Sequence, residues 1–265
     1  MLRPRHWILL RGLARESAHW GGFPDVLLQQ LIDAGLPKDT KVHGLDLPGS
    51  GEFYLQSSPS RVAEICAQVR KSWAVKAEQA GISPAEPVAV VAVSLGAMVG
   101  LEWVRQAPEQ VALAVLMNTS LRGLSPPHHR LRLEMWRQFL RSVATRDPVE
   151  RERRVLKIIS HRLEVHEQVA REWGQIYLKH PFRRLNVLKQ VMAASRFRIE
   201  TWDHPHPILL LSGLGDRMVD PSCSQAIHKE FGWPLVQHPW AGHDLTLDDG
   251  PWVAEQISKW LAAMQ

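Results

Sequence analysis

An α/β fold is predicted by this sequence, with a mainly parallel sheet of about six strands interrupted by one long helical insertion. Three observations predict it. Short apolar runs alternate with helix-spaced runs along most of the chain, the pattern of a parallel sheet covered by helices on both faces. The alternation stops between Ser125 and about Ile199 and then resumes. At Ala92-Val93-Ser94-Leu95-Gly96, an apolar strand runs straight into a helix through a serine flanked by small residues.

The elements follow in order. His6–Leu10 reads as a buried strand, and the Arg11-Gly12-Leu13 turn after it opens a polar loop that contains His19 and Trp20. Phe23–Ala34 has helical spacing and stops at Gly35. Lys41–Leu47 is a second strand, closed by the breaker cluster Pro48-Gly49-Ser50-Gly51. Ser60–Ala80 is helical, with Ser60 placed as an N-cap. The strand Pro87–Val93, a helix to about Gln106 and the strand Val111–Leu116 come next. The stretch without strands holds four amphipathic runs, Leu131–Ala144, Pro148–His161, Val165–His180 and Phe182–Ala194. It is far longer than an ordinary connection and lies between sheet elements, so it is expected to cover one sheet edge as a lid. The strand Ile208–Ser212, a helix over Ser222–Phe231, the strand Leu235–His238 and a helix over Pro251–Met264 complete the order.

The serine junction is the strongest chemical signal. A strand that becomes a helix within one or two residues strains the residue between them, and its neighbours two positions away must be small, as Ala92 and Gly96 are. The geometry lifts a hydroxyl above the carboxyl edge of the sheet, toward the positive end of the next helix. Ser94 is therefore the candidate nucleophile. A serine hydroxyl is almost unionised at neutral pH and needs a base, for which histidine is suited, and an acid that fixes the imidazole tautomer. His243 follows the Leu235 strand within Ala241-Gly242-His243-Asp244. Asp216 follows the Ile208 strand within Gly213-Leu214-Gly215-Asp216-Arg217, and Asp220 is a rival acid at a similar height. Strand ends of open α/β sheets converge on one edge, where such sites lie.

With 265 residues, 45% of them hydrophobic, the chain can bury one large core. Two cysteines, Cys66 and Cys223, far apart and without metal-like spacing, suit a reduced, cytoplasmic setting. The run Trp7-Ile8-Leu9-Leu10 is too short for a signal or membrane segment, so stable membrane insertion is not expected. The net charge of +5 is unevenly placed: residues 121–200 carry eighteen Arg and Lys against eight Asp and Glu. Basic residues alternate there with acids along helical faces and no aromatic-interleaved basic motif occurs, which argues against nucleic-acid binding. There is no metal cluster, Walker loop or dinucleotide fingerprint, and the chemistry requires no cofactor and no metal.

These motifs together resemble the α/β-hydrolase superfamily over nearly the whole chain. The resemblance rests on the Gly12 turn, the loop Asp46-Leu47-Pro48-Gly49-Ser50-Gly51, the serine elbow, Asp216 with Val219 and Pro221, and Gly242-His243. It implies a Ser94–His243–Asp216 triad, an oxyanion hole from the backbone amides of Leu13 and Leu95, and a helical cap over residues 121–200, with the core in 1–120 and 201–265. It also implies that the first two strands of larger members are absent here. Three positions depart from the family: Arg11 stands where many relatives have histidine, and Ala92 and Ala97 replace common glycines. Arg11 is expected to pair with a carboxylate beneath the oxyanion loop, to reach substrate, or to be no more than a solvated charge at a strand end. Trp136, Phe139 and Tyr177 of the cap are candidate pocket residues. A serine at the elbow points to hydrolysis of a small-molecule acyl ester, whereas relatives with aspartate there do other chemistry. The same triad serves lactonases, thioesterases, cofactor-free haloperoxidases and C–C hydrolases. The basic cap suggests, as an alternative, an ester or thioester linked to an acidic carrier protein, recognised through Arg130, Arg137 and Arg141. A catalytically silent binding module of the same fold is the alternative of another class.

Overall fold

The computed structural model describes residues 4–83 and 86–264, and within them the side chains of Glu134, Trp136 and Phe139 fall outside the description. Six strands form one all-parallel sheet: β1 (His6–Leu10), β2 (Lys41–Leu45), β3 (Val88–Val93), β4 (Val111–Met117), β5 (Ile208–Gly213) and β6 (Leu235–His238), in the order β2-β1-β3-β4-β5-β6. The order reverses between β1 and β3, so the ends of these two strands lie side by side at the switch point.

Period-two alternation splits each central strand between two cores. Ile8 and Leu10, Val90 and Ala92, and Ala114 and Leu116 face one side. Trp7 and Leu9, Val91 and Val93, and Val115 and Met117 face the other. Both faces are covered, which is why β3 reads as an unbroken apolar run. On the first face lie α2 (Val62–Gln79) and α3 (Leu95–Gln106); on the second lies α1 (Phe23–Asp33). Helix α2 begins at Val62 with Arg61 at its N-cap and no capping side chain, so Ser60 does not serve as the cap.

Between β4 and β5 come α4 (Pro127–Arg130), α5 (Leu133–Ala144), α6 (Pro148–Ile159), α7 (His166–Lys179) and α8 (Arg184–Arg196). Helices α6 and α7 enclose a small core of their own, built on Leu156, Ile159, Val169 and Trp173, to which Met135 of α5 adds. Helix α8 instead returns to the sheet, where Ala193 and the following Phe197 join the main core. After β5 come α9 (Ser222–Phe231) and, beyond β6, α10 (Leu245–Ala263). Helix α10 starts six residues ahead of the expected Pro251. It kinks at Asp249 (φ −153°, ψ 72°), whose carboxylate accepts from the Trp252 amide and restarts the helix ahead of the missing Pro251 donor.

No helix among the described residues is long and apolar enough to cross a membrane. Cys66 and Cys223 are both buried free thiols, and burial pushes them up to about 12 and about 11.

Candidate active site at the sheet's carboxyl edge

Ser94 sits between β3 and α3 with φ 56° and ψ −119°, a left-handed backbone that L residues adopt rarely and at a cost. Its amide donates to the Met117 carbonyl, and its own carbonyl accepts from the Met98 amide and the Thr119 hydroxyl, so both sides of the strained residue are tied down. Gly96 is required by close approach. A Cβ there would fall against the carbonyl oxygens of Leu10 and Arg11, the latter at 2.5 Å, and neither backbone group can move aside.

The loop after β1 passes directly over the serine. A Cβ on Gly12 would lie 3.1 Å from the Ser94 Cβ and 3.6 Å from its hydroxyl. Leu13, next in the loop, lines the same cavity as Ser94, and Leu95 is the first residue of α3. Their two amides are thus carried by the segments that flank the hydroxyl, one of them at a helix N-terminus where negative charge is favoured.

His243 lines this cavity, and its Nδ1 is 2.7 Å from Oδ2 of Asp216. The other Asp216 oxygen accepts from the amides of Met218 (2.7 Å) and Val219 (2.9 Å), which aims the buried carboxylate at the imidazole. Asp220 faces elsewhere: it accepts from the Ser222 amide at 3.0 Å, and hydrogen bonds to Ser222 outweigh its burial and hold its carboxyl below the usual range.

Arg11 is buried and both terminal nitrogens of its guanidinium go to Asp244, Nη1 to Oδ1 at 3.1 Å and Nη2 to Oδ2. The guanidinium also lies 4.7 Å from the centre of the Trp20 ring. Burial alone would raise the Asp244 carboxyl, but the Arg11 charge outweighs it and holds the group below its ordinary value. Of the readings of Arg11, the structure therefore displays the carboxylate pair and overturns the solvated charge, since the side chain is buried, while it still lines the cavity.

Several residues that organise the edge carry no sequence motif. Asn118, at φ 46° just past β4, donates its Nδ2 to the carbonyls of Gly242 (2.9 Å) and His243 (2.8 Å) and accepts from the Gly213 amide (2.9 Å). One buried amide thus ties the ends of three strands together. A polar Asn-Thr-Ser run directly after an apolar strand is the signal that marks it. Asp248 joins the cap to the histidine loop, accepting from the Gly242 amide (2.6 Å), the Ser160 hydroxyl (2.6 Å) and the His161 amide (3.0 Å).

The cavity above Ser94 has a volume of about 80 Å³ and is walled on one side by the loops at the sheet edge and on the other by the cap, whose apolar contribution includes Val155, Ile158 and Phe182. Tyr177 lies outside it, in a smaller adjoining pocket with Glu16 and His180. The side chains expected at Trp136 and Phe139 lie outside the described residues. Part of the cap's positive charge is met by its own acids: Arg153 and Arg171 pair with Glu167, Arg154 with Glu150 and Arg162 with Glu164. Arg130 turns inward to the carbonyls of Ala194 (2.6 Å) and Ser195 (2.9 Å), whereas Arg137 and Arg141 are exposed. Among the described residues, no group of three or more His, Cys, Asp or Glu is placed to hold a metal ion.

The family described as serine aminopeptidase, S33, a group of hydrolases, matches residues 22–248. The candidate carbamate hydrolase RutD of Klebsiella pneumoniae is 26% identical over 93% of this chain and 94% of its own length. Among solved structures, the 2-hydroxy-6-oxo-6-phenylhexa-2,4-dienoate hydrolase of Rhodococcus sp. strain RHA1 superposes with a TM-score of 0.72 at 17% identity, covering 99% of this chain and 92% of that one. A thermophilic esterase from Thermogutta terrifontis gives 0.69 at 18% identity, covering 97% and 89%. At such identities the structural likenesses establish the α/β-hydrolase fold.

Proposed function

Because the chain belongs to the S33 serine aminopeptidase family of α/β-hydrolases and is a hydrolase of that fold, we propose that it cleaves carboxylic esters through an acyl-enzyme on Ser94. The observation that carries this reading is the 2.7 Å contact between His243 Nδ1 and Asp216 Oδ2 at the rim of the cavity that also holds the strained Ser94.

Asp216 holds the proton on Nδ1, which leaves Nε2 free to accept the Ser94 proton as Oγ attacks the ester carbonyl. The carbonyl oxygen becomes an oxyanion, and the amides of Leu13 and Leu95 stabilise it. The tetrahedral intermediate expels the alcohol, which takes the proton from His243. Water, deprotonated by the same imidazole, then attacks the acyl-enzyme, releases the acid and restores Ser94. No step needs a cofactor. One water needs roughly 10–15 Å³, so the 80 Å³ cavity has room for a short acyl group.

A carbamate is the second reading, favoured by the likeness to RutD along nearly the full chain; the same attack would then fall on a carbamoyl carbon. A carrier-linked ester or thioester would have to use Arg137 and Arg141, since the inward-turned Arg130 is committed to backbone carbonyls.

Fluorophosphonate labelling is the direct test. Wild type is expected to be labelled and Ser94→Ala unlabelled, with short p-nitrophenyl esters turned over in preference to the palmitate. A folded wild type that neither labels nor hydrolyses any ester or carbamate would overturn the reading in favour of a silent binding module.

A further inference from the structure

One wall of the cavity carries charge that its surroundings leave unmatched. Arg151 of α6 is only 3% exposed and lines the cavity. Its Nε donates to Glu152 Oε1 at 3.2 Å, and its guanidinium lies 3.3 Å from the centre of the Tyr177 ring. Its Nη2 has no hydrogen-bond partner among the described residues. Arg15, on the same wall, donates to the other Glu152 oxygen at 2.7 Å. One carboxylate therefore faces two guanidinium groups. Neighbouring acids do not make up the difference: Asp244 is taken by Arg11, and Glu16, in the adjoining pocket, is turned to His180 at 3.0 Å.

A buried, charged N–H without an acceptor is costly, and an incoming acceptor would relieve that cost. A neutral, apolar acyl group would fill the cavity and leave Nη2 unmatched. A carboxylate would match it through a charge-assisted bond of the kind Arg forms best.

We propose that the substrate is a short ester that itself carries a carboxylate, held by the Arg151 guanidinium with Arg15 beside it. This rests on the esterase reading of Ser94 and adds the substrate's charge to it. Two matched pairs test the proposal in a pH-stat. Monomethyl succinate against methyl butyrate places the carboxylate on the acyl half, and O-acetylglycolate against propyl acetate places it on the alcohol half. In wild type one charged ester should exceed its neutral match in kcat/KM by at least about tenfold, as a charge-assisted bond predicts. In Arg151→Gln that ratio should fall to near one through KM, and Arg151→Lys should keep part of it. If Arg151→Gln does not fold, Arg15→Gln and the wild-type ratio still decide. Equal turnover of charged and neutral esters, with Ser94 still labelled by fluorophosphonate, would overturn the carboxylate proposal and leave the esterase reading standing. Absence of both labelling and turnover would overturn both.

Discussion

The sheet's carboxyl edge and the cap are held together by different forces. At the edge, short side chains bind backbone: Asp216 takes two amides, Asn118 spans three strand ends, and Asp248 fixes the Gly242 amide. In the cap, long side chains bind each other, as in Arg153 with Glu167, where the two groups are 40% and 51% exposed. Backbone partners leave a side chain one position, whereas long ionic partners allow many. In the proposed function the edge would fix what kind of bond is attacked, and the cap would be free to change what fits above it.

The contrast is most exposed at the two aspartates that compete in the sequence. Asp216→Asn keeps the shape but holds the wrong histidine tautomer, and kcat should fall by roughly 10³–10⁴-fold, with KM little changed. Asp220→Asn should change kcat by no more than about twofold, because its carboxylate serves the start of α9. Steady-state kinetics on one short ester measures both. The reverse ranking would mean that the edge is less rigid than its hydrogen bonds make it.

Arg11 and Asp244 form an ion pair at the edge in which both partners are almost wholly buried. Arg11→Met leaves a buried carboxylate unpaired, which should cost about 3–5 kcal/mol at neutral pH, read by urea unfolding. The pH dependence has a definite sign. Asp244 titrates below its ordinary value when folded, so its pairing stabilises the wild type above about pH 4 and loses that contribution as the pH falls lower. In Arg11→Met the lone carboxyl is easier to bury once protonated. The gap between the two proteins should therefore narrow between pH 7 and pH 3.5; a constant gap would show that packing on Trp20, and not the charge, is what Arg11 supplies.

These residues also show where sequence reading runs out. Strands were legible because a sheet covered on both faces makes nearly every strand residue apolar, and β1 and β6 fall at their expected bounds. Ser94, Asp216 and His243 stood out because each follows such a run at a strand's carboxyl end. Arg151 and Glu152 did not, since within Arg151-Glu152-Arg153-Arg154 nothing distinguishes buried from exposed charge. Only the packing of α6 against α7 and the Arg15 loop separates them, with Arg151 and Glu152 inside and Arg153 outside. The kink at Asp249 hid the first turns of α10 in the same way, by letting Pro251 look like a start.

Asn118→Ala probes how much of the edge's order is shared. It removes three bonds and leaves the Gly213 amide without its acceptor. At about 1–3 kcal/mol for each buried group left unmatched, the three groups imply a loss of roughly 3 kcal/mol or more in unfolding free energy, with kcat reduced and KM held. Equal effects on kcat and KM would mean that Asn118 shapes the cavity and not the placement of His243.

The smallest effect belongs to the cap's surface. Bonds from Arg153 and Arg171 draw the Glu167 carboxyl down to about 2, which taken alone would suggest a strong contribution above pH 4 that disappears as the pH approaches 2. The groups are open to solvent, however, and water and salt screen such pairs until little net stability remains. Arg153→Ala should leave the thermal midpoint and kcat/KM where they are, whereas Arg15→Met, which strips Glu152 of a buried partner, should lower the midpoint clearly. Differential scanning at low and at high salt distinguishes the cases: a deficit in Arg153→Ala that vanished at 1 M salt would show the exposed ion pairs acting as a network, and the cap would then be held from its outside as firmly as from its buried side.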